Sequence, residues 1–182
     1  ALNIIHSEFS IKDSLIVETA SDAFDSDFST GTVTNCQFVN IGKAGGGDAV
    51  DVSGSDIRVV SSSFLDVSDK ALSVGERSKM RAEDVEMNRV GTAAAAKDGS
   101  ELILSNARIN AASFAGLTAY IKKPEYGPAL IEANGIEINS TDQLALVQKG
   151  SQVILDGVSL PAQDMDVDAL YDTVMRKGLV RQ

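Results

Sequence analysis

A polar landmark returns along this chain at nearly constant intervals. The landmark residues are Ser29, Ser55, Ser78, Ser100 and Ser151, with Pro128 in the one remaining place. Successive landmarks lie 22 to 28 residues apart. A period of this length indicates a repeat architecture, in which each unit buries its apolar face against its neighbours.

Apolar residues recur at fixed distances after each landmark. They stand at plus two, plus four and plus nine, and plus seven holds a small or apolar residue. After Ser100 these residues are Leu102, Leu104, Ala107 and Ile109. A spacing of two indicates a strand with one buried face, and the step of three indicates a bend. Two short strands, a variable loop and a third strand, such as 50–52, describe one coil of a β-helix.

The repeat predicts an all-β fold, a single-stranded right-handed parallel β-helix of about seven coils. We expect the β-helix to span residues 1–162 and a short C-terminal capping α-helix to lie within residues 163–182. The apolar residues at helical spacing are Val167, Leu170, Tyr171 and Val174. Acids in the first turn, Arg176 and Lys177 in the last turn and Gly178 after it are typical of helix ends. We expect this helix to cover the last coil, and a partner-binding helix is the alternative.

The beginning of the sequence fits the same pattern. With the landmark at position zero, the matching residues are Leu2, Ile4, Ser7 and Phe9. On this alignment the sequence begins partway round a coil. An uncapped coil presents unpaired strand edges, so we expect an upstream domain of the same chain to contact it.

Charge and cysteine content limit the classes of function. The net charge is −10, with 26 acidic and 16 basic residues. This balance argues against nucleic acid and against anionic membrane surfaces, which need clustered Lys and Arg. No apolar run approaches the ~18 residues of a membrane span. Cys36 is the only cysteine, and its plus-seven place predicts a small core residue rather than a reactive thiol.

Acidic residues occupy the same place in consecutive coils. Alternation along the strands sends Asp25 and Asp51 outward, one above the other at the coil spacing of about 4.8 Å. The same logic stacks Asp22 on Asp48, and Lys70 takes the aligned position in the next coil. This column is the first candidate functional site.

Three interpretations of the column remain open. A hard cation such as Ca²⁺ could bind the carboxylates of Asp25, Asp27 and Asp51. The same three acids, with Lys70, could instead be catalytic, since two acids about 5–9 Å apart can hydrolyse a glycosidic bond. The third interpretation is that the solvated turns of an acidic solenoid simply favour Asp, with Lys70 offsetting part of the charge.

A second cluster lies on the longest loop. Residues 120–128 form an insertion on the loop side, where solenoids often bind ligands. Tyr and Lys beside a groove could hold a sugar or an anionic chain, and a surface turn fixed by two prolines is the alternative. Together the two clusters give the ligand-binding candidates Asp22, Asp48, Glu76, Lys97, Asp98, Tyr120, Lys122, Lys123 and Tyr126.

The coil pattern resembles the pectate-lyase-like superfamily of parallel β-helices across nearly the whole chain. More narrowly, four segments resemble the β-helix region C-terminal to spore-coat-H-like kinase modules of bacterial surface proteins. The segments are 21–29, 47–55, 69–76 and 119–128. The narrower resemblance implies no established activity for the β-helix.

The superfamily resemblance implies an extracellular protein that binds or cleaves acidic polysaccharides, often with Ca²⁺ held by stacked Asp. Asp25 and Asp51 match that arrangement. A lyase would also need a basic residue over the sugar, and here only Lys70 or Lys97 could serve. No Arg lies near the acidic column, which argues against lyase chemistry.

The leading hypothesis is therefore a noncatalytic, extracellular β-helix module of a larger bacterial protein. It would bind a glycan or serve as a rigid spacer, with Ca²⁺ as a candidate ligand. The rival hypothesis is a polysaccharide lyase or glycoside hydrolase that acts through the stacked Asp residues.

Overall fold

The computed structural model describes residues 1–172 and is a parallel β-solenoid of about seven turns. This confirms the predicted fold class. Each complete coil has three strands, so the solenoid has three sides around one apolar core. The predicted helix residues Val174, Arg176, Lys177 and Gly178 lie outside the described residues.

Side 1 holds the strand that follows each landmark. Its strands are β2 (Glu8–Lys12), β5 (Thr30–Thr34), β8 (Asp56–Val60), the first parts of β10 (Lys79–Lys97), β11 (Glu101–Tyr120) and β12 (Leu130–Asn139), and β14 (Gln152–Leu155). Side 2 follows the first bend. Its strands are β3 (Leu15–Val17), β6 (Gln37–Ile41), the first part of β9 (Ser63–Gly75), the middle parts of β10 and β11, and the end of β12.

Side 3 carries the candidate site. Its strands are β1 (Leu2–Ile5), β4 (Phe24–Asp27), β7 (Val50–Ser53), the last parts of β9, β10 and β11, and β13 (Ala145–Val147). The order along the side is the order of the coils, and every pairing within it is parallel. Residues at equivalent positions in successive coils therefore become neighbours.

Strand alternation places the core. Val50 and Val52 are buried in β7, whereas Asp51 between them is partly exposed. Aromatic rings continue the core from coil to coil, as in the stacked Phe38 and Phe64, whose centroids lie 5.1 Å apart. Cys36 is 1% exposed and belongs to this core, as predicted.

The landmark serines have a hydrogen-bonding role at one corner of the coil. The amide of Ser29 donates to Oγ of Ser55 over 3.0 Å, and the amide of Ser55 donates to Oγ of Ser78 over 3.0 Å. These groups are buried, and a buried amide needs a partner. Serine recurs at the landmark because the hydroxyl of each landmark serine accepts a hydrogen bond from the landmark amide of the preceding coil.

The bend between sides 1 and 2 is made by one residue with positive φ in each coil. Examples are Asn35 (φ 53), Asp84 (φ 55), Asn106 (φ 50) and Gly135 (φ 64). Asn, Asp and Gly tolerate this left-handed conformation better than other residues do. Asn, Asp or Gly one residue before the plus-seven position therefore indicates the bend between sides 1 and 2.

Two predicted alignments are wrong. Phe9, not Leu2, pairs with Gly31, and Leu2 pairs with Phe24 on side 3. Ser7 holds the first landmark place, because its amide donates to Oγ of Ser29. A two-residue apolar spacing fits the strand of any side, so the spacing alone could not distinguish them. The sixth landmark place belongs to the residue after Pro128, whose amide donates to Oγ of Ser151.

The C-terminal helix is α1 (Val167–Leu170), and Asp166 caps its N-terminus by accepting from the amide of Ala169 over 2.9 Å. Val167 of this helix packs with Ala95 and Tyr120 on side 3. That the helix covers the last coil stays a prediction. We call residues 163–171 the strap. No helix within residues 1–172 is both long enough and apolar enough to cross a membrane.

Candidate functional site

The predicted stacking of acids on side 3 is confirmed by the strand register. Asp25 pairs with Asp51 in β4 and β7, and Asp51 pairs with Ser73 in β9. Asp27 lies on the same outward face, two residues beyond Asp25. The three acids proposed for catalysis or Ca²⁺ binding therefore share one side of the solenoid.

The second predicted stack, Asp22 on Asp48, is part of the backbone scaffold. The amide of Asp48 donates to Oδ1 of Asp22 over 2.6 Å, and the amide of Lys70 donates to Oδ1 of Asp48 over 2.9 Å. Each carboxylate thus fixes the loop of the next coil. These hydrogen bonds explain why acids recur here without requiring a ligand.

Lys70 lies at the centre of a buried ionic network. Its Nζ is 2.7 Å from Oδ2 of Asp69 and 3.4 Å from Oδ1 of Asp48. One coil further on, Nζ of Lys97 lies 3.5 Å from Oδ1 of Asp51. The side chains of Lys70 and Lys97 are only 3% and 12% exposed. We call these five residues the acid–lysine cluster.

The cluster holds Lys70 in its charged form. Burial alone would lower the pKa of Lys70, but the carboxylates of Asp48 and Asp69 outweigh burial and raise that pKa above its ordinary value. Burial would likewise raise the pKa of Asp48, yet the ammonium groups of Lys70 and Lys97 hold it below its usual value. A lysine that stays protonated at neutral pH is poorly suited to remove a proton from a substrate.

Asp25 has a different environment from Asp48. Partial burial, followed by the negative charges of Asp22 and Asp51, raises the pKa of Asp25 to about 6. Among residues 1–172, Asp25 has no ion pair with a lysine like the one between Asp48 and Lys70. Asp25 therefore holds a proton to a higher pH than an ordinary aspartate does.

The expected Ca²⁺ site has its residues on one face, but they do not form a ready coordination sphere. Among residues 1–172, no group of three or more His, Cys, Asp or Glu side chains is arranged to hold a metal ion. Ca²⁺ requires six to eight oxygen ligands at about 2.3–2.6 Å. Binding at Asp25, Asp27 and Asp51 would need these side chains to move, and it stays a prediction.

Tyr171 of the strap lies against the lysines of the site. Its hydroxyl is 2.7 Å from the hydroxyl of Tyr120, and Nζ of Lys122 lies 4.2 Å from the centroid of its ring. Nζ of Lys70 lies 5.7 Å from the same centroid. Tyr120, a predicted ligand-binding residue, is 0% exposed, and burial raises its pKa well above the ordinary value. The strap thus covers this end of side 3.

The loop candidates are held by contacts within the protein. Oδ1 of Asp98 accepts from the amides of Lys122 and Lys123 over 2.7 and 2.6 Å. The ammonium of Lys123 forms an ion pair with Glu76. Tyr126 packs against the guanidinium of Arg77, whose Cζ lies 5.5 Å from the centroid of the Tyr126 ring. Asp98 and Glu76 therefore hold the loop that carries Lys122 and Lys123. Ligand binding by this second cluster stays a prediction.

Sequence reasoning missed three residues of this region. Asp69 forms an ion pair with its chain neighbour Lys70. Adjacent opposite charges in a loop could have indicated this pair. Tyr171 was assigned to the helix that covers the last coil, and nothing in the helical spacing indicated its position beside Lys70. Arg77 precedes the landmark Ser78 and lies beside the loop tyrosine.

A groove elsewhere on the solenoid is lined by none of the predicted site residues. It has a volume of about 390 Å³ and lies at the bend between sides 1 and 2. Its lining includes Ser62, Asp84, Asn106 and Arg108.

No family model, curated protein or solved structure matches this chain. The function must therefore be argued from the site.

Proposed function

We propose that this protein is a noncatalytic β-solenoid module of a larger bacterial surface protein, acting outside the cell and binding a glycan along side 3. The observation that carries the proposal is the outward column in which Asp25 stacks on Asp51 in paired strands, with Asp27 two residues beyond Asp25 on the same face. Such a column offers polar groups at a repeat of about 4.8 Å on a stiff ladder. An extended ligand with repeating hydroxyl groups fits that spacing.

Charge favours a neutral glycan over an anionic one. Asp25 and Asp27 lie on the partly exposed face of side 3, and the whole chain carries a net charge of −10. Carboxylates accept hydrogen bonds from sugar hydroxyls and repel uronate groups. The ammonium group of Lys97, beside Asp51, adds a hydrogen-bond donor to the acidic column.

Ca²⁺ remains a candidate ligand of the same face. Asp25, Asp27 and Asp51 supply hard oxygen donors. Burial and then repulsion from neighbouring acids raise the pKa of Asp25, and a cation would offset that repulsion. Calorimetry with Ca²⁺ tests this part of the proposal. Heat of binding that is lost in Asp27→Asn supports it, and no heat together with an unchanged Tm removes it.

Resemblance to the pectate-lyase-like superfamily supports the rival proposal, a lyase or hydrolase of acidic polysaccharides. Asp25, with a pKa of about 6 beside Asp51, is the observation that favours acid–base chemistry. The ion pairs of Lys70 count against a lysine base. The rival predicts new reducing ends or unsaturated products from a uronate polymer, lost in Asp51→Asn.

Glycan-array binding by the purified protein, with and without Ca²⁺, tests the leading proposal. The expected result is binding to a neutral glycan that weakens at least about tenfold in the double variant Asp25→Asn/Asp27→Asn, because each lost charged hydrogen bond costs about 1.5–3 kcal/mol. Asp56→Asn is the matched control, since Asp56 is an exposed acid on side 1. Binding that both variants retain equally would place the ligand elsewhere.

A rigid spacer is the second candidate, in which the solenoid sets the distance between other parts of the protein. It is favoured by the continuous parallel ladder, which leaves few places to bend. An upstream domain of the same chain would then be its partner at the first coil. This role predicts no glycan binding and normal folding of all the variants above.

A further inference from the structure

The outward column of side 3 continues beyond Asp51. Strand pairing carries it from Asp51 to Ser73, Ala95 and Thr118 in successive coils. The chain neighbours on either side of Ser73, Ala95 and Thr118 belong to the core, so these three side chains point away from it. All three are nevertheless 0% exposed. This part of the column is therefore covered from outside.

Two hydroxyl groups in the covered part of the column have no hydrogen bond. Among the residues that the structure describes, Oγ of Ser73 and Oγ1 of Thr118 are buried without a partner. Ser73 lies beside the carboxylates of Asp48 and Asp51 without a bond of normal geometry to either. Oδ1 of Asp51 has only its ion pair with Lys97, at 3.5 Å. Buried polar groups without partners are destabilising, so their presence in a folded protein needs an explanation.

The strap covers this part of side 3 through few contacts. Val167 packs on Ala95 and Tyr120, and it is the one buried residue of the strap. The hydroxyls of Tyr171 and Tyr120 form a hydrogen bond of 2.7 Å. The start of the strap is anchored separately, because the amide of Gln163 donates to a carbonyl of β13 over 2.8 Å. A segment held by few buried contacts opens at low free-energy cost, so residues 165–171 can leave side 3 while Gln163 stays in place.

We propose that the covered column is a further part of the glycan site, which the strap occupies until a neutral oligosaccharide takes its place. This inference rests on the proposed function and adds the regulation of the same site. The hydroxyls of Ser73 and Thr118 can donate and accept, and the carboxylate of Asp51 accepts, so together they match the hydroxyl groups of a sugar. From Asp51 to Thr118 the column spans about 14 Å, the length of roughly three sugar units in an extended chain.

The surroundings of the column favour a neutral ligand over an anionic one. The ammonium groups of Lys70 and Lys97 are already paired with carboxylates of the acid–lysine cluster. Ala95 and the ring of Tyr120 give the column an apolar floor, against which the apolar face of a sugar ring can pack in place of Val167. The hydroxyl of Tyr120 exchanges its hydrogen bond with the strap for one with the sugar.

Val167→Asp tests the inference in the complete chain, because it removes the packing that holds the strap. Wild type and variant are applied to the same array of neutral oligosaccharides, and calorimetry then measures the affinity for the oligosaccharide that binds best. A strap that is open in at most about a tenth of the molecules weakens binding about tenfold, so the variant should bind at least about tenfold more tightly than wild type.

Two further variants separate the strap from other effects of the substitution. Val167→Ser removes the same packing without adding a charge, and it should also bind more tightly than wild type. Ala162→Asp is the matched control, because it adds a carboxylate at an exposed position just before the strap. Equal affinities of Val167→Asp, Val167→Ser and Ala162→Asp would overturn the inference.

Thr118→Val tests the unpaired hydroxyl directly. In the wild-type background the Tm should stay the same or rise, because the hydroxyl has no hydrogen bond to lose. In the Val167→Asp background the substitution should weaken binding by about three- to tenfold, the effect of losing one hydrogen bond to the ligand. Thr30→Val, at an exposed position of side 1, is the control and should leave binding unchanged. A lower Tm in Thr118→Val would overturn the inference, because the hydroxyl would then have a partner within the protein.

Failure of this inference differs from failure of the glycan proposal. Binding that is lost in Asp25→Asn/Asp27→Asn, together with equal affinities of Val167→Asp and Ala162→Asp, would overturn the role of the strap alone. No binding by wild type or by any strap variant would overturn both.

Discussion

Nζ of Lys70 lies 3.4 Å from Oδ1 of Asp48 in the neighbouring coil, and the two side chains are 3% and 8% exposed. Both charges are therefore removed from water and depend on each other and on Asp69. A buried pair is costly to break, because the remaining charge has no solvent to stabilise it. The pair links the candidate site to the stability of the coils that carry it.

Lys70→Met should lower the free energy of unfolding by about 3–5 kcal/mol, the usual cost of leaving a buried charge without its partner. Urea denaturation at pH 7 measures the change. The control is Lys43→Met, which removes a lysine from the ion pair with Glu18, where both side chains are more than half exposed. We expect little change there, and equal effects of the two substitutions would contradict the structural role of Lys70.

Ser55→Ala should destabilise the protein by about 1–3 kcal/mol, the cost of an unsatisfied buried hydrogen-bonding group. Oγ of Ser55 accepts from the amide of Ser29 and donates to the carbonyl of Ser26 over 2.9 Å. Thermal unfolding measures the effect. Ser14→Ala is the control, because that hydroxyl makes an exposed hydrogen bond to the carbonyl of Lys12. A loss no larger than the control would show that the serine series is not needed for stability.

The coil architecture was predictable because apolar residues recur at constant distances after each landmark, and these residues form the columns of the core. Once Asp25 and Asp51 were placed one coil apart, their proximity followed from strand geometry alone. The register of the first coil was not predictable, since the spacing of Leu2 and Ile4 fits a strand on side 1 or side 3. The missing information was the hydrogen bond that makes Ser7 the first landmark.

The charged site was harder to predict than the fold. The alignment placed Lys70 above Asp48, but a list of aligned residues does not reveal whether a lysine is exposed or buried among acids. Helical spacing gave the apolar face of the strap, and only tertiary packing shows that Val167 covers Ala95. Pairwise ionic and packing contacts of this kind depend on loop paths that repeat spacing does not specify.

Ionisation of Asp25 should lower the stability of the folded protein as the pH rises from about 4 to about 7. Burial and neighbouring acids raise the pKa of Asp25 to about 6 in the folded protein, above its ordinary value of 3.8. Between those values the folded state binds more protons than the unfolded state, so raising the pH favours unfolding. Asp25→Asn should reduce the difference between the Tm values at pH 4.5 and 7.5. Asp56→Asn is the control, and an unchanged difference in Asp25→Asn would contradict the prediction.

Val167→Asp should release the strap from side 3 while leaving the coils folded. Val167 is 7% exposed and packs with Ala95 and Tyr120, so a carboxylate placed there would lose its solvation without gaining a partner. The core of the solenoid does not include Val167, and thermal unfolding should therefore change less than it does in Lys70→Met. Limited proteolysis with mass spectrometry should show faster cleavage within residues 163–172. The control is Ala162→Asp at an exposed position, and equal cleavage of the two variants would mean that Val167 does not hold the strap in place.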